Sequence, residues 1–132
     1  MKVVIDTNVF VSSFLGGKPR QVTNGWLDEN FSLCLSADIL NEYLRVFDEL
    51  DMLDKNETQD VIQLLEGQYN LLFTRSSPNL EISDDPTDDK FLECAVELNA
   101  NHLVTGDSDL LDLGRYGRID INTPSHFLTL LE

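Results

Sequence analysis

The sequence predicts an α/β fold with a central, twisted parallel sheet and helices on both faces, a three-layer arrangement. Three observations point there. The runs Val3-Val4-Ile5 and Leu103-Val104-Thr105 are short, apolar and rich in β-branched residues, as in strands buried on both faces. Between such runs lie longer stretches with apolar residues at helical spacing, such as Ile39, Leu40, Tyr43, Leu44 and Phe47. The two kinds of segment alternate, and βα alternation produces parallel strands joined by crossover helices.

Taken in order, Lys2 to Asp6 reads as a central strand. Thr7, Asn8 and then Val9 to Leu15 continue as a helix, stopped by Gly16-Gly17. Pro19 opens a second helix, with Val22, Trp26 and Leu27 at helical spacing. Phe31, Leu33 and Leu35 alternate with Ser32 and Cys34 as a strand. Ser36 then caps the amphipathic helix of Ile39 to Phe47. Val61, Ile62, Leu64 and Leu65 form another helical face that ends in a turn at Gly67, and Tyr69 to Phe73 reads as a strand. Pro78 to Pro86 is a polar loop, and Pro86 fits the first turn of a helix that turns Phe91, Leu92, Ala95, Val96 and Leu98 inward. Leu103 to Thr105 is a strand, Arg118 to Asn122 a last edge strand, and Pro124 starts a closing helix through Leu131.

A chain of 132 residues is expected to form one domain over 1–132, burying roughly two-thirds of the surface it would expose unfolded. Cys34 and Cys94 have no CxxC or Cys/His spacing, which excludes a zinc or thioredoxin-like motif and leaves two buried thiols in a reducing compartment. Asp6 and Asn8 break the apolar N-terminal run, so it does not read as a signal peptide. No stretch approaches the roughly 20 apolar residues of a membrane span. A cytoplasmic location with no membrane association is expected. The net charge of −15, from 24 acids and 9 bases, argues against a simple non-specific nucleic-acid binder. It is compatible with a nuclease whose acids are neutralised by metal, and it suggests either a small local basic patch or a basic partner chain.

The acids carry the chemistry. Asp6 ends the first strand, and Asp107 and Asp109 follow the Leu103–Thr105 strand. Ligands of open α/β sheets bind beyond the carboxyl ends of the strands. Glu42 lies beside the apolar stripe of its helix, within reach of that rim, and Asp88 begins the helix after the polar loop. Carboxylates crowded to about 4 Å repel by about 4 kcal/mol per pair at an effective dielectric near 20. Such a cluster needs cations or raised pKa values. Oxygen-only ligands suit Mg²⁺ or Mn²⁺, one ion or two, and the chemistry expected is metal-dependent phosphodiester hydrolysis.

Four pieces in order, Val-Ile-Asp6-Thr7-Asn8, Glu42 on a helix after a strand, Asp85-Pro86-Thr87-Asp88-Asp89-Lys90, and Val104-Thr105-Gly106-Asp107-Ser108-Asp109-Leu110, resemble the PIN-domain family along essentially the whole chain. The resemblance is closest to compact prokaryotic PIN proteins of toxin–antitoxin systems, including VapC-type toxins. It implies a ribonuclease in which Asp6, Glu42, Asp88 and Asp107 match the four family acids and Asp109 a frequent fifth, with 5′-phosphate and 3′-hydroxyl products. Asn8 matches a polar residue that steadies the first acid, and Thr105 the hydroxyl before the last. Asp89 stands where relatives often carry Asn; Asp88 is preferred as the metal-facing residue. RNA as substrate, a small antitoxin as partner and a homodimer follow as expectations.

Each acid taken alone has an ordinary explanation as a turn residue, a helix-start charge or an exposed helical residue. Their joint order outweighs it. His102 and His126 have no ligand spacing, and Trp26 reads as core. Lys18 and Arg20 could touch substrate phosphates, although a solvated loop explains them too. A catalytically silent PIN-fold interaction module is the alternative that the acidic charge keeps open. A haloacid-dehalogenase-type phosphatase would want Asp where Asn8 stands. A receiver domain would want a late Lys, and no Lys follows Lys90.

Overall fold

In the computed structural model, residues 1–52, 54–67, 70–75, 80 and 88–132 are described. The chain runs β1 (Lys2–Ile5), α1 (Thr7–Ser12), α2 (Gly17–Leu27), β2 (Ser32–Ser36), α3 (Ala37–Glu49), α4 (Lys55–Glu66) and β3 (Leu71–Thr74). It continues with α5 (Asp89–Leu98), β4 (His102–Val104), α6 (Ser108–Leu113), β5 (Arg115–Tyr116), β6 (Ile119–Asn122) and α7 (Pro124–Leu131). The sheet order is β3-β2-β1-β4-β6-β5, with every pairing parallel except β5 with β6. The fold is the α/β three-layer arrangement that the alternating pattern predicts.

The strand order places the functional end of the molecule. From β1 the chain builds outward through β2 and β3, then crosses back to lay β4 on the other side of β1. Connections therefore leave β1 and β4 in opposite directions. A crevice opens between their carboxyl ends, the position where ligands bind in open parallel sheets. Val3, Val4 and Ile5 are fully buried, as the centre of a sheet covered on both faces requires.

Two buried layers fix the flanking helices. Phe10 of α1 stacks on Tyr43 of α3 with centroids 4.2 Å apart and planes 5° from parallel, and Phe14 and Phe47 meet edge to face at 4.9 Å. On another side, α2 packs against α7 close to Gly25, where a Cβ would stand 3.1 Å from Leu131 Cδ1. That approach favours the residue without a side chain.

The structure corrects several boundaries. Arg118–Asn122 is not the sheet edge: β6 is interior, and the edge is the two-residue antiparallel β5. Gly117, at φ +58°, turns the chain back, and Arg115 pairs with Asp120 at 3.2 Å. Val96 is 39% exposed rather than inward. At 100° per residue it lies roughly 120° from the centre of the buried stripe of Phe91, Leu92, Cys94 and Ala95. Helix α1 starts at Thr7, with Asp6 as its N-cap, and ends at Ser12 rather than Leu15. The strand expected at Tyr69–Phe73 runs from Leu71 to Thr74, with Tyr69 outside the described residues, as are Pro86 and most of the polar loop.

Candidate metal centre

Asp6 occupies the turn from β1 into α1 and is only 4% exposed. Its Oδ1 accepts the Val9 N–H at 2.8 Å, an N-cap bond, while its Oδ2 accepts the Thr105 hydroxyl. Burial pushes the Asp6 carboxyl above its ordinary pKa; the hydrogen bonds from Thr105, Val9 and Gly106 oppose that rise, and the nearby Asp107 charge adds to it. Thr105 also accepts the Asp107 N–H at 3.0 Å, so one hydroxyl ties the end of β1 to the turn after β4. From behind, the buried Tyr43 hydroxyl donates to the Ile5 carbonyl and holds α3 against the same strand end.

Glu42, next to Tyr43 on α3, is brought to this rim by that packing. Its Oε2 accepts the Thr7 hydroxyl, and its Oε1 lies 2.6 Å from Lys90 Nζ and 3.6 Å from Arg45. Arg45 also reaches Glu49 at 2.6 Å.

Asp88, Asp107 and Asp109 form the third part. Each offers a carboxylate oxygen, and the three lie within 4.8 Å of one another. Asp88 is the N-cap residue of α5 and is half-buried. Asp107 caps α6 by accepting the Leu110 N–H at 3.2 Å, and Asp109 stands exposed in the first turn of that helix. Carboxylates fit those positions, since helix starts favour negative charge.

Asp6, Glu42, Asp88 and Asp107 line one cavity of about 240 Å³, together with Thr7, Asn8, Arg45 and Phe91. A neighbouring cavity of about 560 Å³ shares Asp6, Asn8 and Asp107 with it. The four acids drawn from distant parts of the sequence thus meet, and Asp109 joins them through Asp88 and Asp107. Between the two candidates at the start of α5, Asp88 belongs to the cluster and Asp89 is buried.

Other expected residues lie differently. Asn8 is exposed and lines both cavities; the described partners of Asp6 are Val9, Thr105 and the Gly106 backbone, and they, rather than Asn8, hold its carboxylate. Lys18 is exposed. Arg20 donates from Nε to the Ser13 carbonyl at 3.0 Å and from a terminal nitrogen to the Phe14 carbonyl at 2.7 Å. It thereby satisfies carbonyls past the end of α1 and lines a separate, largely apolar cavity with Phe10 and Trp26. Trp26 is core, its indole N–H donating to the Asn70 carbonyl at 3.1 Å. His102 Nδ1 sits 2.9 Å from the Asn122 side-chain nitrogen, and burial lowers its pKa. Cys34 and Cys94 are buried free thiols, pushed up by burial to about 11 and about 12.

Thr7, Lys90 and Arg45 touch Glu42 and were not singled out from the sequence. The available signals were a hydroxyl directly after Asp6 and a lysine two residues after Asp88 in a chain poor in bases.

The donor set suits a hard divalent ion. Oxygens on an octahedral Mg²⁺ or Mn²⁺ stand about 3 to 4 Å apart, given metal–oxygen distances of about 2.1 Å. Three carboxylates already within 4.8 Å need only small side-chain rotations to close on one.

A family model described as PIN domain matches residues 2–109. The chain belongs to the PIN-domain family. It is 28% identical over 145 residues to the uncharacterized protein MJ1680 of Methanocaldococcus jannaschii, covering 100% of this chain and 92% of that one. The crystal structure of FitAcB from Neisseria gonorrhoeae shares the fold, with a TM-score of 0.54 at 18% identity, over 94% of this chain and 99% of that one. No helix among the described residues is long and apolar enough to cross a membrane.

Proposed function

We propose that this PIN domain is a Mg²⁺- or Mn²⁺-dependent endoribonuclease, a single nuclease domain over 1–132, acting as the toxin of a type II toxin–antitoxin pair. The observation that carries the reading is the convergence of Asp88, Asp107 and Asp109 to within 4.8 Å, on a cavity that Asp6 and Glu42 also line, in a family whose members are generally nucleases. Asp88, Asp107 and Asp109 would hold the ion. When bound, it supplies Lewis acidity toward a phosphodiester oxygen and lowers the pKa of attacking water.

The chain's own groups supply position. Asp6, with both oxygens hydrogen-bonded, presents a carboxylate from one fixed direction. Thr105 keeps Asp6 and the Asp107 backbone in register, so the two strand ends move as one unit. Arg45 lines the cavity, and Lys90 pairs with Glu42 on its wall, so both bring positive charge to an acidic cavity that a substrate phosphate must approach. The shared lining of the two cavities gives a single strand a continuous path across Asp6 and Asp107.

The antitoxin reading rests on the chain-wide resemblance to compact prokaryotic PIN toxins and on the net charge of −15, which favours a basic partner. The test is cleavage of a fluorescent single-stranded RNA in Mn²⁺ with an EDTA control. Products with 5′-phosphates, formed by the wild type and lost with Asp107→Asn, are expected. Equal cleavage by the variant, or none by either protein, overturns the proposal.

A further inference from the structure

We propose that Lys90 is a built-in cation on the Glu42 side of the acidic cavity, so that the chain takes one divalent ion, at Asp88, Asp107 and Asp109, rather than two. The inference rests on the metal-dependent reading above and fixes its stoichiometry. A two-ion site needs carboxylate oxygens open to both ions, spaced about 3.5–4 Å apart. On the Glu42 side the chain supplies its own donors. Glu42 Oε1 carries the Lys90 ammonium at 2.6 Å, and Oε2 takes the Thr7 hydroxyl. Asp6 Oδ1 takes the Val9 N–H, and Oδ2 the Thr105 hydroxyl. Arg45, at 3.6 Å from Glu42, adds a second positive charge.

The ion pair is not a loose surface contact. The Lys90 and Glu42 side chains are 20% and 15% exposed, so solvent screens them weakly. A second divalent ion placed against Glu42 would meet the ammonium at close range and would have to expel it. Lys90 also lies in the first turn of α5, two residues after Asp88. One helix start therefore contributes an anion to the metal side and a cation to the Glu42 side. Lys90 is in this sense a positioning residue: it orients Glu42 and sets how many ions the cavity accepts.

The experiment is Mn²⁺ binding to the full chain, measured by calorimetry and by metal content after gel filtration. Wild type should take up one Mn²⁺ per chain. Lys90→Met, which keeps the length of the side chain and removes its charge, should take up two, and Lys90→Met with Glu42→Gln should return to one. Two ions on wild type, or one on a folded Lys90→Met, overturns the proposal. Absence of any Mn²⁺ on wild type overturns the metal-dependent reading itself, which separates the two failures. If Lys90→Met does not fold, the NMR signal of the Lys90 ammonium in Mg²⁺-saturated wild type decides. A signal still protected from exchange supports the ion pair, and a signal lost to solvent on Mg²⁺ addition overturns it.

Discussion

The two sides of the acidic cavity satisfy their charges by opposite means. On the Asp6–Glu42 side, every carboxylate oxygen meets a donor from the chain: Val9, Thr105, Thr7 or Lys90. On the Asp88–Asp107–Asp109 side, carboxylates face carboxylates within 4.8 Å. The first arrangement is complete after folding and acts as a fixed wall. The second brings three carboxylates together, with Asp107 also accepting the Leu110 N–H, and an external cation would reduce their mutual repulsion. The contrast separates residues that shape the site from residues that load it.

The sharpest break is expected from the loading side. Asp107→Asn keeps the shape and the N-cap of α6 but removes a charge from the cluster, and should lower Mn²⁺-dependent RNA cleavage about 100-fold or more. Steady-state cleavage rates check this, with Asp28→Asn, at an exposed residue after α2, as the control expected to stay near wild type. A small loss for Asp107→Asn would mean that the cluster is not where the chemistry occurs.

On the wall side, Thr105→Val removes the donor to Asp6 and the acceptor of the Asp107 N–H in one step. Leaving those groups unpaired should cost about 1–3 kcal/mol in urea unfolding, and cleavage should fall as well because the two strand ends lose their link. Unchanged stability would show that the wall is not held by that hydroxyl.

The third prediction uses pH. The Asp6 pKa is raised on folding, so its contribution to stability is fully present below its ordinary value of 3.8 and is lost as pH rises through the folded value. In EDTA, the stability of Asp6→Asn relative to wild type should therefore rise between about pH 3 and about pH 7. Saturating Mg²⁺ should stabilise wild type more than the variant. Urea midpoints at the two pH values, with and without Mg²⁺, give the result; a constant difference in EDTA would deny that burial raises the Asp6 pKa.

The smallest effect lies outside the cavity. Burial lowers the His102 pKa, so the unfolded chain binds the proton first as pH falls below 6.5, and stability declines from there downward. His102→Gln should flatten that decline slightly in urea titrations, without altering cleavage. A changed cleavage rate would link this histidine to the site.

The parts of the molecule differ in how far they can be read from residues. Val3-Val4-Ile5 and the stripe of α3 declare themselves because burial on both faces, or on one helical face, leaves a repeating composition. The position of Glu42 beside its helix's apolar stripe is legible because it follows from the 100° rotation alone. Strand β5 has two residues, Arg115 and Tyr116, too few for any period to show. The exposure of Val96 is not legible, because apolar character does not tell which side of a stripe the helix turns toward the sheet. The Lys90–Glu42 pair joins residues 48 positions apart on two helices, and only the packing of α3 and α5 creates it. Arg20 looked available for phosphate because a sequence does not show that nearby carbonyls at the end of α1 already claim its guanidinium.

The crossing of the chain back over β1 also sets a schedule for synthesis. Residues up to Glu42 bring Asp6, Thr7 and Glu42 out early, but Lys90 and Thr105, which donate to Glu42 and Asp6, follow much later. Asp88, Asp107 and Asp109 arrive only after β3 is made, when β4 adds to the open edge of β1 and β6 later adds to β4. A nascent chain therefore lacks the assembled cavity until Asp109 has emerged. For a protein proposed to cut RNA, that order keeps the cutting centre unassembled while the message encoding it is still being read.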